Sequence, residues 1–127
     1  IRSGRVDATV IGAIQVSEQG DLANWALPGK GVLGPGGAMD LVVGVKEVIV
    51  ATSHVAKNGK HKLIPVCTVP LTGIKVVNTL VTEFAVFKFK NGKMVLVEHT
   101  ADITLAEVAA MTSARYEVDP QLQVREV

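Results

Sequence analysis

A single cysteine in 127 residues, Cys67, excludes an internal disulfide, a zinc ribbon and a CxxC redox pair. A lone thiol suits a reducing compartment, so the sequence predicts a cytoplasmic protein. Aromatic residues make up only 4% of the chain, which leaves Val, Ile, Leu and Ala to fill the interior. Apolar stretches such as 41–45 and 48–51 fall far short of the ~20 residues that span a bilayer, so no transmembrane helix is expected. Thirteen Lys and Arg against twelve Asp and Glu leave a net charge of +1 with no basic stripe. That balance argues against a nucleic-acid or membrane-surface partner. The chain also lacks an internal repeat and a low-complexity tract. Residue 1 is Ile, and residues 1–4 show neither an initiator Met nor a signal-peptide pattern, which suggests part of a longer product.

What is present is the composition of one globular domain over 1–127, with 48% apolar and 20% charged residues. Such a chain buries roughly two-thirds of its unfolded surface. The β-branched run 6–16 predicts a central strand buried on both faces. Residues 17–37 are crowded with Gly and interrupted by Pro28 and Pro35, which predicts a long shaped loop and makes it the expected site. A short helix over 38–43 and a buried strand over 47–52 follow. Residues 53–62, with Asn58-Gly59 and three lysines, read as a solvated turn or mobile loop. Helical spacing of Ile74, Val77, Leu80 and Val81 after Thr72 predicts a short helix over 72–82.

Two strand-like runs over 84–97 flank Asn91-Gly92, the pair that best accommodates a tight hairpin. Thr104 with Glu107 forms a capping-box pattern opening a helix over 105–111, and 115–118 reads as a last strand. The fold class is α/β: an open, mostly parallel sheet flanked by helices, with a C-terminal β-hairpin.

The glycine-rich stretch 29–37 fits neither standard phosphate loop, because Lys30 is followed by Gly31 and Met39 stands where a dinucleotide fingerprint needs Gly or Ala. Gly36 and Gly37 directly precede the predicted helix, where free N–H groups could stabilise a developing oxyanion. His54, His61 and His99 lack a carboxylate partner at metal-ligand spacing, so no metal is expected. Cys67 reads as a small buried thiol, and Lys57, Lys60 and Lys62 as a solvated tip, with contact to a phosphate-bearing ligand as the alternative. Met39, on residue type alone, reads as packing.

The run Gly12-Ala13-Ile14-Gln15-Val16-Ser17-Glu18-Gln19-Gly20-Asp21-Leu22-Ala23-Asn24-Trp25 closely resembles a segment of the B subunit of 3-oxoacid coenzyme A transferases. So does Gly34-Pro35-Gly36-Gly37-Ala38-Met39-Asp40-Leu41. Further matches follow in order at His54-Val55-Ala56-Lys57-Asn58-Gly59, Cys67-Thr68-Val69-Pro70-Leu71-Thr72 and Thr82-Glu83-Phe84-Ala85-Val86-Phe87. The resemblance covers nearly the whole chain.

It implies ping-pong transfer of coenzyme A between an acyl-CoA, succinyl-CoA or similar, and a short-chain carboxylic or 3-oxo acid, as in ketone-body and fatty-acid metabolism. The transfer passes through a glutamyl-CoA thioester. In that family the glutamate lies in a Ser-Glu-Asn-Gly-like motif upstream of the matched segment, and these 127 residues do not contain it. Ser17-Glu18-Gln19-Gly20 sits in a later motif, so Glu18 is not assigned as nucleophile. By resemblance, Gly37 is the backbone oxyanion donor, with Gly36, Ala38 and Met39 shaping the thioester site. Asp21, Asn24 and Trp25 read as braces for the loop, with direct substrate contact as the alternative. Ser53 stands where relatives often carry Glu. The implied partners are the A subunit, the N-terminal part of the B subunit and the two substrates; no other cofactor is implied, and the chain alone is expected to be inactive. A rival reading makes the chain a non-catalytic CoA- or phosphate-binding or assembly module.

Overall fold

A computed structural model of the chain describes residues 8–23 and 47–126. A six-stranded mixed sheet has the order β1-β4-β6-β7-β8-β9, and a three-stranded sheet has the order β3-β2-β5. In chain order the strands are β1 (Ala8–Ile11), β2 (Gln15–Ser17), β3 (Leu22–Ala23), β4 (Glu47–Ala51), β5 (Leu63–Ile64), β6 (Thr79–Val81), β7 (Ala85–Lys90), β8 (Lys93–Thr100) and β9 (Glu117–Arg125). One helix, α1 (Leu105–Ala110), is present among the described residues. β1, β4 and β6 run parallel, β7 and β8 form an antiparallel hairpin beside them, and β9 returns parallel to β8.

The register explains the core. Ile11, Val50, Leu80, Phe87, Leu96 and Val118 pair in one row across all six strands. Because side chains alternate between faces, such a row presents its members to one side. Its four central members are fully buried, and they pack with Val16, Leu22 and Leu63 of the small sheet and Val108 of α1.

Local rules account for several boundaries. Asn91 and Gly92 both take positive φ, 52° and 76°, as a two-residue hairpin turn requires. The Thr104 hydroxyl accepts the Glu107 N–H at 3.1 Å while the Glu107 carboxylate accepts the Thr104 N–H at 3.0 Å, closing the capping box that starts α1.

Four expectations are corrected. The run 6–16 is not one central strand: β1 is an edge strand among the described residues, with Val10 63% exposed, and the chain turns at Gly12-Ala13 into β2 of the other sheet. β-Branched composition sets strand propensity and not position within a sheet. Residues 72–78 are not helical, because the Val76 and Val77 N–H groups donate across the chain to the Gly20 carbonyl and 79–81 joins the large sheet as β6. The last strand runs on to Arg125 through Pro120, tolerated at an edge where a bulge interrupts the ladder between Leu96 and Glu98. The turn at 53–62 has a solvated tip, but His54 at its base is fully buried. The predicted helix over 38–43 lies outside the described residues.

Candidate functional site

Gly36, Gly37, Ala38 and Met39, with Asn24 and Trp25, lie outside the described residues. The frame that precedes that segment is described. Ser17, at the end of β2, is buried, and its hydroxyl accepts the Gln19 and Asp21 N–H groups at 3.2 and 3.1 Å. This side-chain turn lets β2 reverse into β3 over four residues. Gly20 takes φ +86°, and a Cβ there would meet the Val77 carbonyl oxygen at 3.3 Å and Phe89 at 3.4 Å. The Asp21 carboxylate accepts the Lys75 N–H at 2.8 Å, holding Lys75 at φ 53°. Gln15 ties the same frame to 68–69, its Oε1 accepting the Thr68 N–H at 2.7 Å and its Nε2 donating to the Thr68 hydroxyl at 2.7 Å.

These bonds make Asp21 a brace, the role expected of it from the sequence. Glu18 acts in a similar way, since its Oε1 accepts the Arg115 N–H at 2.9 Å and so fixes the approach to β9. Cys67 is half-buried, donates weakly to the Asp21 carbonyl at 3.8 Å, and has its pKa raised to about 11 by burial and the Asp21 charge. Half-burial and a weak bond to a carbonyl fit the packing role read from the sequence.

A second constellation lies at the carboxyl ends of the parallel strands. Gly12-Ala13 follows β1, Thr52-Ser53 follows β4 and Thr82-Glu83 follows β6. His54 locks this edge. Its Nε2 lies 2.8 Å from the Thr112 hydroxyl, which donates its own hydrogen to the Val108 carbonyl at 2.7 Å. Thr112 therefore accepts, and Nε2 carries the proton. On the other side Nδ1 lies 2.9 Å from the Thr82 hydroxyl, which accepts the Phe84 and Ala85 N–H groups and has Nδ1 as a nearer acceptor for its hydrogen than the Ala85 carbonyl at 3.5 Å. The neutral ring is satisfied at both nitrogens. Burial accordingly lowers the His54 pKa, with His61 adding to the shift and Glu83 opposing it. The Glu83 carboxylate accepts the His54 backbone N–H at 2.8 Å.

Lys62 belongs to this edge and not to the lysine tip predicted from sequence. Lys57 and Lys60 stay exposed around Asn58-Gly59, whereas the Lys62 Nζ reaches the Thr52 hydroxyl at 2.7 Å and the Ser53 hydroxyl at 3.2 Å. Burial lowers its pKa, partly offset by the Glu83 charge. Sequence spacing missed this division, although the antiparallel bridge Val55↔His61 closes the turn one residue before Lys62. No group of three metal-ligating side chains occurs among the described residues. A cleft of 410 Å³ lined by Glu18, Lys93, Arg115 and Tyr116 opens near the hairpin tip, at the opposite edge of the sheet. No helix among the described residues is long and apolar enough to cross a membrane.

Residues 1–111 match the family model described as Coenzyme A transferase. The B subunit of a probable succinyl-CoA:3-ketoacid coenzyme A transferase from Bacillus subtilis is 51% identical over 118 residues, covering 93% of this chain and 55% of that protein. The beta subunit of an acetate CoA-transferase from Escherichia coli is 51% identical over 125 residues, covering 98% and 58%. The chain thus spans about half the length of the curated relatives it matches. Among solved structures, an acyl-CoA transferase from E. coli O157:H7 superposes with a TM-score of 0.83 at 19% identity, over 96% of this chain and 28% of that one. The decarboxylase AibA/AibB superposes with a TM-score of 0.75 at 22% identity, over 97% and 52%. These two likenesses concern the fold.

Proposed function

Because the chain belongs to the coenzyme A transferase family, we propose that it forms part of a transferase B subunit moving coenzyme A between an acyl-CoA and a short-chain acid. The observation that carries this reading is identity of about one half to B and beta subunits across more than nine-tenths of this chain. Relatives at the same 51% identity are named for a 3-ketoacid and for acetate, so the short-chain carboxylic acid is the class common to both. Succinyl-CoA or a similar thioester is the proposed donor, a 3-oxo acid one acceptor, and ketone-body or fatty-acid metabolism the setting, in the cytoplasm. The proposed partners are an A subunit and the N-terminal part of the B subunit.

In this reading the carboxylate of a glutamate outside these 127 residues attacks the thioester carbonyl and expels coenzyme A thiolate to give a mixed anhydride, and the thiolate then attacks the glutamyl carbonyl, releasing the donor's carboxylate and leaving a glutamyl-CoA thioester. Negative charge gathers on the thioester oxygen during attack, and a preorganised N–H stabilises it without reorganisation. The Gly37 N–H is the proposed donor, with Gly36, Ala38 and Met39 around it.

The test is steady-state kinetics of the complete B subunit assembled with its A subunit, varying succinyl-CoA against acetoacetate and acetate. Parallel double-reciprocal lines are expected, as ping-pong transfer requires. Coenzyme A binding without turnover in the full assembly would instead select the rival reading of a binding module.

A further inference from the structure

We propose that Lys62, presented by the Thr52 and Ser53 hydroxyls at the carboxyl edge of β4, binds an oxyanion of a substrate, a carboxylate or a phosphate. This inference rests on the transferase reading for its substrates, but its geometry stands apart from the Gly37 assignment.

Lys62 is fixed at both ends. Its carbonyl accepts the Val16 N–H at 2.9 Å, pinning the backbone just before β5, and its ammonium reaches across to two hydroxyls that follow β4. Thr52 is in turn oriented, since its hydroxyl donates to the Ala13 carbonyl at 3.3 Å and its N–H to the Val81 carbonyl at 3.0 Å. An ammonium has three donors, and two are engaged, so one N–H remains, and among the described residues no carboxylate lies within ion-pair distance of the charge.

Among the described residues, the ion pairs are Lys90 with Asp119, Lys93 with Glu117 and Arg125 with Glu98; none includes Lys62. Lys88 provides a contrast. It also binds a hydroxyl, Thr79 at 3.0 Å, but that hydroxyl passes directly to the Glu47 carboxylate at 3.2 Å. Around Lys62 the hydroxyl leads to a neutral carbonyl, and Glu83, the carboxylate that influences it, is turned to the His54 N–H.

A half-buried cation without a carboxylate pays desolvation that an incoming anion would recover. Its position agrees, because ligands of open α/β sheets bind outside the carboxyl ends of the strands, and β1, β4 and β6 all end here. Ser53 is small enough at this edge to serve as a neutral anchor, where a carboxylate would pair with the ammonium and cancel the site.

The test uses the complete B subunit assembled with its A subunit and compares wild type with Lys62→Met and Lys62→Arg. Loss of one charge-assisted contact corresponds to a fall of about tenfold to a hundredfold in kcat/KM. A fall confined to the acid substrate in Lys62→Met, largely restored in Lys62→Arg, identifies the anion as a carboxylate. A fall confined to an acyl-CoA whose acyl group carries no carboxylate, such as acetyl-CoA, identifies a phosphate. Equal losses for both substrates, or none, overturn the proposal.

A second measurement is independent of folding in the variants: labelling of wild-type Lys62 by an amine-reactive ester, read by peptide mass with acetate, inorganic phosphate or coenzyme A present. Protection of Lys62 but not of Lys60 is expected with at least one of the three. Protection without any CoA transfer would leave the site and remove the transferase reading. Transfer with Lys62 labelled equally in every condition would do the reverse.

Discussion

At the residue scale His54 shows how one side chain can be both buried and polar without strain. Its neutral ring joins the turn after β6 to the end of α1, and each nitrogen has a partner of the right kind. Truncation by His54→Ala removes both bonds and leaves a void between Phe84 and Phe87, whose rings lie 6.2 and 6.0 Å from it. A loss of about 2–4 kcal/mol in stability is expected from denaturant unfolding. The direction of its pKa shift also fixes a pH dependence. With the folded value lowered below 6.5, the unfolded chain takes up the proton first, so this contribution is whole above pH 6.5 and lost as the pH falls through the folded value. Unfolding midpoints between pH 8 and pH 5 should decline less in His54→Gln than in wild type. Gly20→Ala is expected to cost more than about 1 kcal/mol, since it combines a positive φ with a 3.3 Å approach to the Val77 carbonyl oxygen. The sequence names Asp21 as a brace, but nothing in the local pattern separates Lys62 from Lys57 and Lys60. Only the closure of the turn by Val55 and His61 turns Lys62 inward.

At the scale of elements, what is legible in the sequence is what neighbours decide. Asn91-Gly92 and Thr104 with Glu107 act over two and four residues, and both form as their chemistry dictates. Thr104→Ala should lower stability by roughly 1 kcal/mol, read as a shift in the unfolding midpoint. Where the outcome depends on distant partners, periodicity misleads. Ile74, Val77, Leu80 and Val81 have helical spacing, yet Val76 and Val77 find their acceptor at Gly20 and Leu80 pairs with Phe87. Pro120 marks an end in sequence, but an edge strand with a bulge absorbs it, and the Asp119 carboxylate satisfies the Gln121 N–H at 2.7 Å. The run 6–16 has one composition and two fates, because Ile14 donates to the Ala23 carbonyl at 2.7 Å and so enters the small sheet.

At the scale of the whole molecule, Thr52, Ser53, Lys62 and Glu83 gather at the carboxyl edge of the parallel strands, while Ser17, Gly20 and Asp21 stiffen the turn between β2 and β3. In the assembled transferase, Gly37→Pro removes the proposed oxyanion donor and should lower kcat by about 10²–10³, whereas Lys60→Ala, on the solvated tip, should leave it within a factor of two. Initial-rate assays of the two variants check this, and equal activities would refute the assignment of Gly37. The most direct test of the account is the intact mass of the complete B subunit, assembled with its A subunit, after incubation with acyl-CoA alone. The account predicts a stoichiometric coenzyme A adduct on a glutamate upstream of this segment, discharged on adding the acceptor acid. An unmodified B subunit that nevertheless binds coenzyme A would contradict it.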